Sequence, residues 1–231
     1  MPLLENEAFI VFWNQMTMRI WPATLETLYM VFASSLFGNL LGVPLGVLVV
    51  VTRRDHIMPN AVINSIASTV VNIGRSIPFI ILMVAIIPFT RWIAGTPIGT
   101  TAAIVPLTVG AIPYVARLVE SALLEVDRGV IEAALSMGAT PWQVIYKVLL
   151  PESLPALVLA VTITTVSLVS YSAMAGTVGG GGLGNLAIVY GYQRFQGDIM
   201  LYTVVILVIL VQLFQSVGSW IARRLDHRHT S

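Results

Sequence analysis

For metal ligation and carboxylate or imidazole acid–base chemistry the chain offers three histidines and eleven Asp and Glu, and it has no cysteine. His56, His227 and His229 form no H-E-x-x-H pattern, the helical spacing that would hold zinc beside a general base. His227 and His229 stand two apart in a charged tail, which reads as a solvated end. Without cysteine there is no disulfide, thiolate metal site or thiol nucleophile, and no compartment is implied. The run GTVGGGGLG, Gly176 to Gly184, lacks the Lys-Ser or Lys-Thr that would make it a phosphate loop. It reads instead as backbone folding back closely beside neighbouring helices, with a short helix after it over Leu183 to Tyr192. No catalytic set remains.

Two other groups suit passage of a solute. Arg75 lies within an apolar stretch, where a central arginine costs about 2.5–3.5 kcal/mol, so it must face an interior, a carboxylate or water. It is either a pathway or gating residue, or a structural one satisfied by carbonyls freed near Pro78. No buried acidic partner within a span is evident. Near Ala175 the chain reads SLVSYSAMA, and Ser170, Tyr171, Ser172 and Met174 suit a narrow, mildly polar path. Met is flexible enough to close a gap. The same small residues also suit close packing of membrane helices.

The elements that position these residues follow from composition. Of 231 residues, 57% are hydrophobic and 10% charged, against about 25% charged in soluble domains, and the mean hydropathy is +0.88. The chain is therefore an integral membrane protein in contact with lipid. A net charge of +1 points to no nucleic-acid partner. Five stretches are long enough to span: Leu25 to Val51, Val62 to Phe89 (broken by Arg75 and Pro78), Thr101 to Val119, Leu154 to Ala175 and Ile199 to Ala222. They do not alternate as barrel strands would, so the expected fold is all-α with five transmembrane helices.

Lys and Arg set the orientation. Arg53, Arg54, Arg117, Arg128, Lys147, Arg223, Arg224 and Arg228 fall on one side, and Arg19, Arg91 and Arg194 on the other. The first side is expected to be cytoplasmic, with the N-terminus outside and the C-terminus inside. Glu5 and Glu7 stand where a secretory signal would carry basic residues, so no cleaved signal is expected. Residues 1–23 form an N-terminal segment in which Phe9 to Trp21 is either an interfacial helix or a simple apolar leader. Residues 24–222 are the transmembrane domain and 223–231 a cytoplasmic tail.

One polar stretch interrupts the apolar pattern. Glu120 to Glu152 carries Glu120, Glu125, Asp127, Arg128, Glu132, Lys147 and Glu152, and is expected to lie in water or against a protein. Val130 to Met137 suits a short helix that Gly138 can end in the left-handed conformation. Thr140, Pro141 and Gln143 then match a capping box with proline at the first helical position. The second helix presents Trp142, Val144, Ile145, Tyr146, Val148 and Leu149, and Pro151 is expected to end it. The pair is either a docking element or an ordinary amphipathic loop.

The run Glu132-Ala133-Ala134, three residues, Gly138, nine residues, then Val148-Leu149-Leu150-Pro151 resembles the EAA loop of type I ABC importer permeases. Val148 stands where that family usually has Ile. NIGRSIPFIILMV and YSAMAGTVGGGGLGNLAIVYGYQ resemble the methionine-uptake permeases among them, over most of the chain beyond about residue 20. The resemblance implies that Glu132, Ala133, Ala134, Gly138, Ala139, Thr140 and Pro141 form or support a coupling helix seated in a groove of an ATP-hydrolysing subunit. It implies a homodimer in the inner membrane, two separate cytoplasmic ATP-binding subunits that carry ATP and Mg, and an external substrate-binding protein. This chain itself would hold no cofactor and would not be an enzyme. Methionine is the implied substrate. Another small polar solute is the alternative, or an ATP-independent secondary transporter, which would need ion-coupling residues within its spans.

Overall fold

The computed structural model describes residues 16–226. Most of the segment Phe9 to Trp21 falls outside them, as do His227, Arg228 and His229. From Met16–Ile20 a widened helical turn runs directly into α1, Trp21–Val51. There follow α2 (Ala61–Ser76), α3 (Phe79–Ala85), α4 (Ile87–Ala94), α5 (Thr100–Leu124), α6 (Arg128–Ser136), α7 (Pro141–Val144), α8 (Leu150–Glu152), α9 (Leu154–Gly176), α10 (Gly182–Asn185) and α11 (Gly197–Leu225). No strand occurs among the described residues.

Helices α1, α5, α9 and α11 are each long and apolar enough to cross a bilayer. The expected second span, Val62 to Phe89, is broken at Pro78, as its sequence suggests. It breaks between α2 and α3 with a bend of 102°, and the two together would make the fifth span. The residue before a proline is pushed out of the helical region, and Ile77, before Pro78, is extended at φ −84° and ψ 122°. A second proline, Pro88, then begins α4, and Gly95 ends it in the left-handed conformation, φ +75°.

The described residues group into two compact units. The first holds residues up to Ser34, Phe79–Leu107 and Ser167–Leu213; the second holds Ser35–Pro78, Thr108–Val166 and the residues from Phe214 on. In the second unit, α1 and α5 approach along a stripe of small residues. A Cβ on Gly38 would lie 2.7 Å from Ala111 Cβ, one on Gly42 2.6 Å from Val115 Cβ, and one on Gly46 2.6 Å from the Ala116 carbonyl. Lipid tails are as apolar as side chains, so close van der Waals contact is what holds such helices together. Gly38, Gly42 and Gly46 stand four apart, and this spacing was a readable signal of the contact.

Several hydroxyls within the long helices are satisfied by their own backbone. Thr24 donates to the Ile20 carbonyl at 2.8 Å, Thr164 to Ala160 at 2.8 Å and Thr203 to Ile199 at 2.7 Å. An apolar surrounding supplies no water for such groups, so the preceding turn accepts them.

Candidate functional site

The second unit carries the helical hairpin that the polar stretch forms. Asp127 caps α6, its carboxylate accepting the Gly129 amide at 2.6 Å. The helix ends in two reverse hydrogen bonds: the Gly138 amide to Leu135 O at 2.9 Å and the Ala139 amide to Ala134 O at 3.1 Å. This pairing needs a left-handed residue at its turn. Gly138 has φ +85° and nothing within 4 Å of where a Cβ would stand. Its requirement for glycine is thus conformational, not steric. Two residues later the expected capping box forms: the Thr140 amide donates to Gln143 Oε1 at 2.9 Å, and the Gln143 amide to Thr140 Oγ1 at 3.4 Å, with Pro141 opening α7.

Pro151 does not end the second helix. The backbone widens into a π turn over Ile145–Leu149, closed by the Leu150 amide on Ile145 O, and stays helical through Glu152. The shifted ladder places Pro151, which has no amide to donate, in the first turn of α8, where none is needed. The hairpin is anchored by Ile131, Ala134, Val144, Ile145 and Leu149, which pack with Val50, Val115, Val119 and Leu123. Outward it presents Met137 at 83% exposure, Trp142 at 67% and Tyr146 at 53%. Of the seven residues expected at a coupling contact, Glu132, Ala133, Gly138 and Thr140 are exposed, Ala139 and Pro141 half-buried, and Ala134 buried in the core.

Glu120, expected to open the water-exposed stretch, lies instead inside α5 and is only 8% exposed. Arg117 donates to its carboxylate at 2.8 Å and Arg53 stands 3.9 Å away, so two guanidiniums make its burial tolerable. A cavity of about 220 Å³ beside α6 is lined by Asp55, His56, Arg128 and Glu132 among others. His56 Nδ1 is buried with no hydrogen-bond partner among the described residues. Burial first, then the charges of Arg128 and Arg53, lower the His56 pKa below 6.5, so the ring is neutral at pH 7. Arg75 ends α2 exposed, and no group among the described residues bonds it. The carbonyls near Pro78 do not satisfy it.

The first unit carries the end of α9, and the four residues expected there split. Ser170 and Met174, one turn apart, both line a concavity of about 580 Å³ with Thr177, Gly184, Val208 and Gln212. Tyr171 faces elsewhere and stacks on Phe79, ring centroids 4.7 Å apart and 9° from parallel. Ser172 is buried and donates to Val169 O at 2.7 Å. The glycine run folds back against this end, as its composition suggested. A Cβ on Gly184 would meet the Ala173 backbone, and one on Gly176 the Asn185 amide. Beyond α10 the chain continues as a π-helix, Leu186–Gln193, close to the expected short helix.

Sequence reasoning missed what holds this loop. Glu26 accepts the Gly182 amide at 2.6 Å and Thr27 accepts the Leu183 amide at 2.8 Å, each pair 156 positions apart. No local pattern signals a contact across that separation.

Residues 38–231 match the family described as "Binding-protein-dependent transport system inner membrane component". The chain is 62% identical over 206 residues to the probable D-methionine transport system permease protein MetI of Vibrio cholerae serotype O1, covering 89% of this chain and 92% of that one. It is 46% identical over 209 residues to the methionine import system permease protein MetP of Bacillus subtilis, covering 90% and 94%. Among solved structures, a chain of the MetNI methionine ABC transporter in inward-facing conformations superposes with a TM-score of 0.91 at 53% identity, covering 93% of this chain and 99% of that one. With a family match over most of its length, an all-helical fold and four to five candidate spans, the chain belongs to the binding-protein-dependent transport system inner membrane components.

Proposed function

We propose that this chain is the membrane-spanning permease subunit of an ATP-driven ABC importer that carries methionine, as the D or L isomer, across the inner membrane. The hairpin of α6 and α7 carries the proposal. Caps fix both sides of its turn, its inner face is sealed into the core, and its outer face presents Met137, Trp142 and Tyr146 to a protein partner. A stiff element can transmit displacement to the spans, whereas a flexible loop would absorb it. The likeness to proteins named for methionine transport supports the substrate.

In this reading the chain works as a homodimer with its N-terminus outside and C-terminus in the cytoplasm. Residues 24–222 form the transmembrane domain, and the stretch 120–152 meets two cytoplasmic ATP-binding subunits. Those subunits bind ATP and Mg and perform the hydrolysis; this chain contributes no catalytic residue and no cofactor site. Glu132, Ala133, Gly138, Ala139, Thr140 and Pro141 form the contact, and Ala134 supports it from the core. An external binding protein delivers the substrate. Ser170 and Met174, which share one concavity, border its path, while Tyr171 and Ser172 are held by Phe79 and the Val169 carbonyl; Arg75, unpartnered among the described residues, faces the path or the second copy. Closure of the ATPase pair draws the hairpins together and opens the path outward, and hydrolysis returns it inward.

The test is uptake of labelled L- and D-methionine by cells that lack their own system and express this chain with its ATPase and binding protein. The expected result is uptake that disappears with an ATPase-inactive partner. ATPase-dependent assembly without methionine uptake would discard the substrate, and uptake indifferent to the ATPase would overturn the proposal in favour of a secondary transporter.

A further inference from the structure

We infer that Glu26 and Thr27 are positioning residues for the substrate path, acting through α10 on the end of α9; the inference rests on the permease reading above. Gly181, just before α10, has φ +79° and ψ −162°, a conformation essentially closed to any residue with a side chain. The position that would normally carry a capping Ser, Thr or Asp is therefore held by a residue with nothing to cap with. Gly182 and Leu183 are nonetheless buried, and their first-turn amides have no acceptor within their own helix. A buried donor left unpaired is costly, and the acceptors come from α1.

The two α1 residues are consecutive and serve consecutive amides. Glu26 Oε2 takes the Gly182 N–H at 2.6 Å, a short bond. Thr27 Oγ1 takes the Leu183 N–H at 2.8 Å while its own hydroxyl donates to Ala23 O at 3.0 Å, which orients its lone pairs toward the loop. Glu26 is also the one acidic residue in the 31 residues of α1.

On its far side α10 rests on α9 with no side chain between them. Gly184 meets the Ala173 backbone and Gly176 meets the Asn185 amide. Backbone packed on backbone cannot yield, so a displacement of the α9 end moves α10 or breaks its two bonds to α1. That end carries Ser170, Tyr171, Ser172 and Met174. Glu26 and Thr27 thereby set where the path-bordering residues stand without touching the substrate.

The experiment uses the assembled transporter in proteoliposomes, with Glu26→Ala, Glu26→Gln, Thr27→Val and Thr27→Ser, and reads methionine uptake per ATP hydrolysed. In Glu26→Ala and Thr27→Val this ratio is expected to fall by about tenfold, the factor that corresponds to one lost hydrogen bond of this strength, with assembly and ATP hydrolysis retained. Glu26→Gln and Thr27→Ser keep an acceptor and are expected to restore it. An unchanged ratio in Glu26→Ala, or a Glu26→Gln as impaired as Glu26→Ala, overturns the inference, the second because charge rather than the acceptor would then matter. Amide hydrogen exchange at Gly182 and Leu183 in the purified chain provides a readout independent of transport. It is expected to accelerate in Glu26→Ala, and unchanged exchange overturns the inference. A wild type without ATP-dependent uptake would sink the permease reading alone, since the exchange measurement still decides whether Glu26 and Thr27 hold the Gly182 and Leu183 amides.

Discussion

The hairpin after α5 and the glycine loop after α9 cap the helix that follows their turn by opposite means. Each ends one helix and starts another within a few residues, leaving amides and carbonyls that need partners. The hairpin finds them locally. Gly138 and Ala139 close on α6, and Thr140 and Gln143 exchange bonds at the start of α7. The glycine loop also closes the end of α9 locally, with the Gly180 amide on Ala175 O at 2.9 Å, but it has no side chain to cap the helix that follows and takes Glu26 and Thr27 from α1 instead. A locally capped turn moves as a rigid piece and suits an outward-facing contact. A turn capped from elsewhere ties two helices together and suits a place where movement must be shared.

The sharpest break of this comparison is at the glycines. Gly184→Val places side-chain atoms on the Ala173 backbone, and is expected to destabilise the chain by about 3 kcal/mol, the upper range for overpacking. Gly138→Ala meets open space at φ +85°, and is expected to lose only about 1–2 kcal/mol for the left-handed conformation. Thermal unfolding in detergent of the two variants checks the order. Equal losses would mean that the two turns are not held differently.

Trp142→Ala tests the outward face of the hairpin. Its side chain is mostly exposed, so stability should hold. Binding of the ATPase subunit is expected to weaken by about 2 kcal/mol, roughly 30-fold, as for an aromatic anchor at an interface. Titration of the purified ATPase against the variant measures it, and unaltered affinity would remove Trp142 from the contact.

Thr140→Ala removes one half of the capping box and is expected to cost about 1 kcal/mol. Thr140→Ser should restore it, and exchange of the Gln143 amide should report both. The same exchange in the glycine loop should not respond, because its caps lie in α1.

The smallest effect is expected from acid. The folded protein holds the His56 pKa below 6.5, so between that lowered value and 6.5 the unfolded chain binds the proton more readily. His56 therefore subtracts nothing from stability above pH 6.5 and takes stability away as the pH falls below it. His56→Gln should flatten the stability curve where it falls below pH 6.5. An unchanged acid response would acquit the ring of any role.

Much of this was legible in the chain itself. Long apolar runs specified the spanning helices because lipid leaves the backbone no other way to satisfy its own bonds. The turn of the hairpin could be read from Gly138, Thr140, Pro141 and Gln143 because every partner lies within a few positions. The break before Pro78 was legible too, although its 102° was not. What escaped depends on distance along the chain. The pairing of Glu26 with Gly182, the burial of Glu120 between two arginines, and the split of Ser170 and Met174 from Tyr171 and Ser172 each depend on which helix faces which. Periodicity fixes a helix and its caps, because those bonds close within one turn. Only the packed structure decides which side chain meets which, because that follows from how closely the helices approach, and here glycine, by having no side chain, sets the approach.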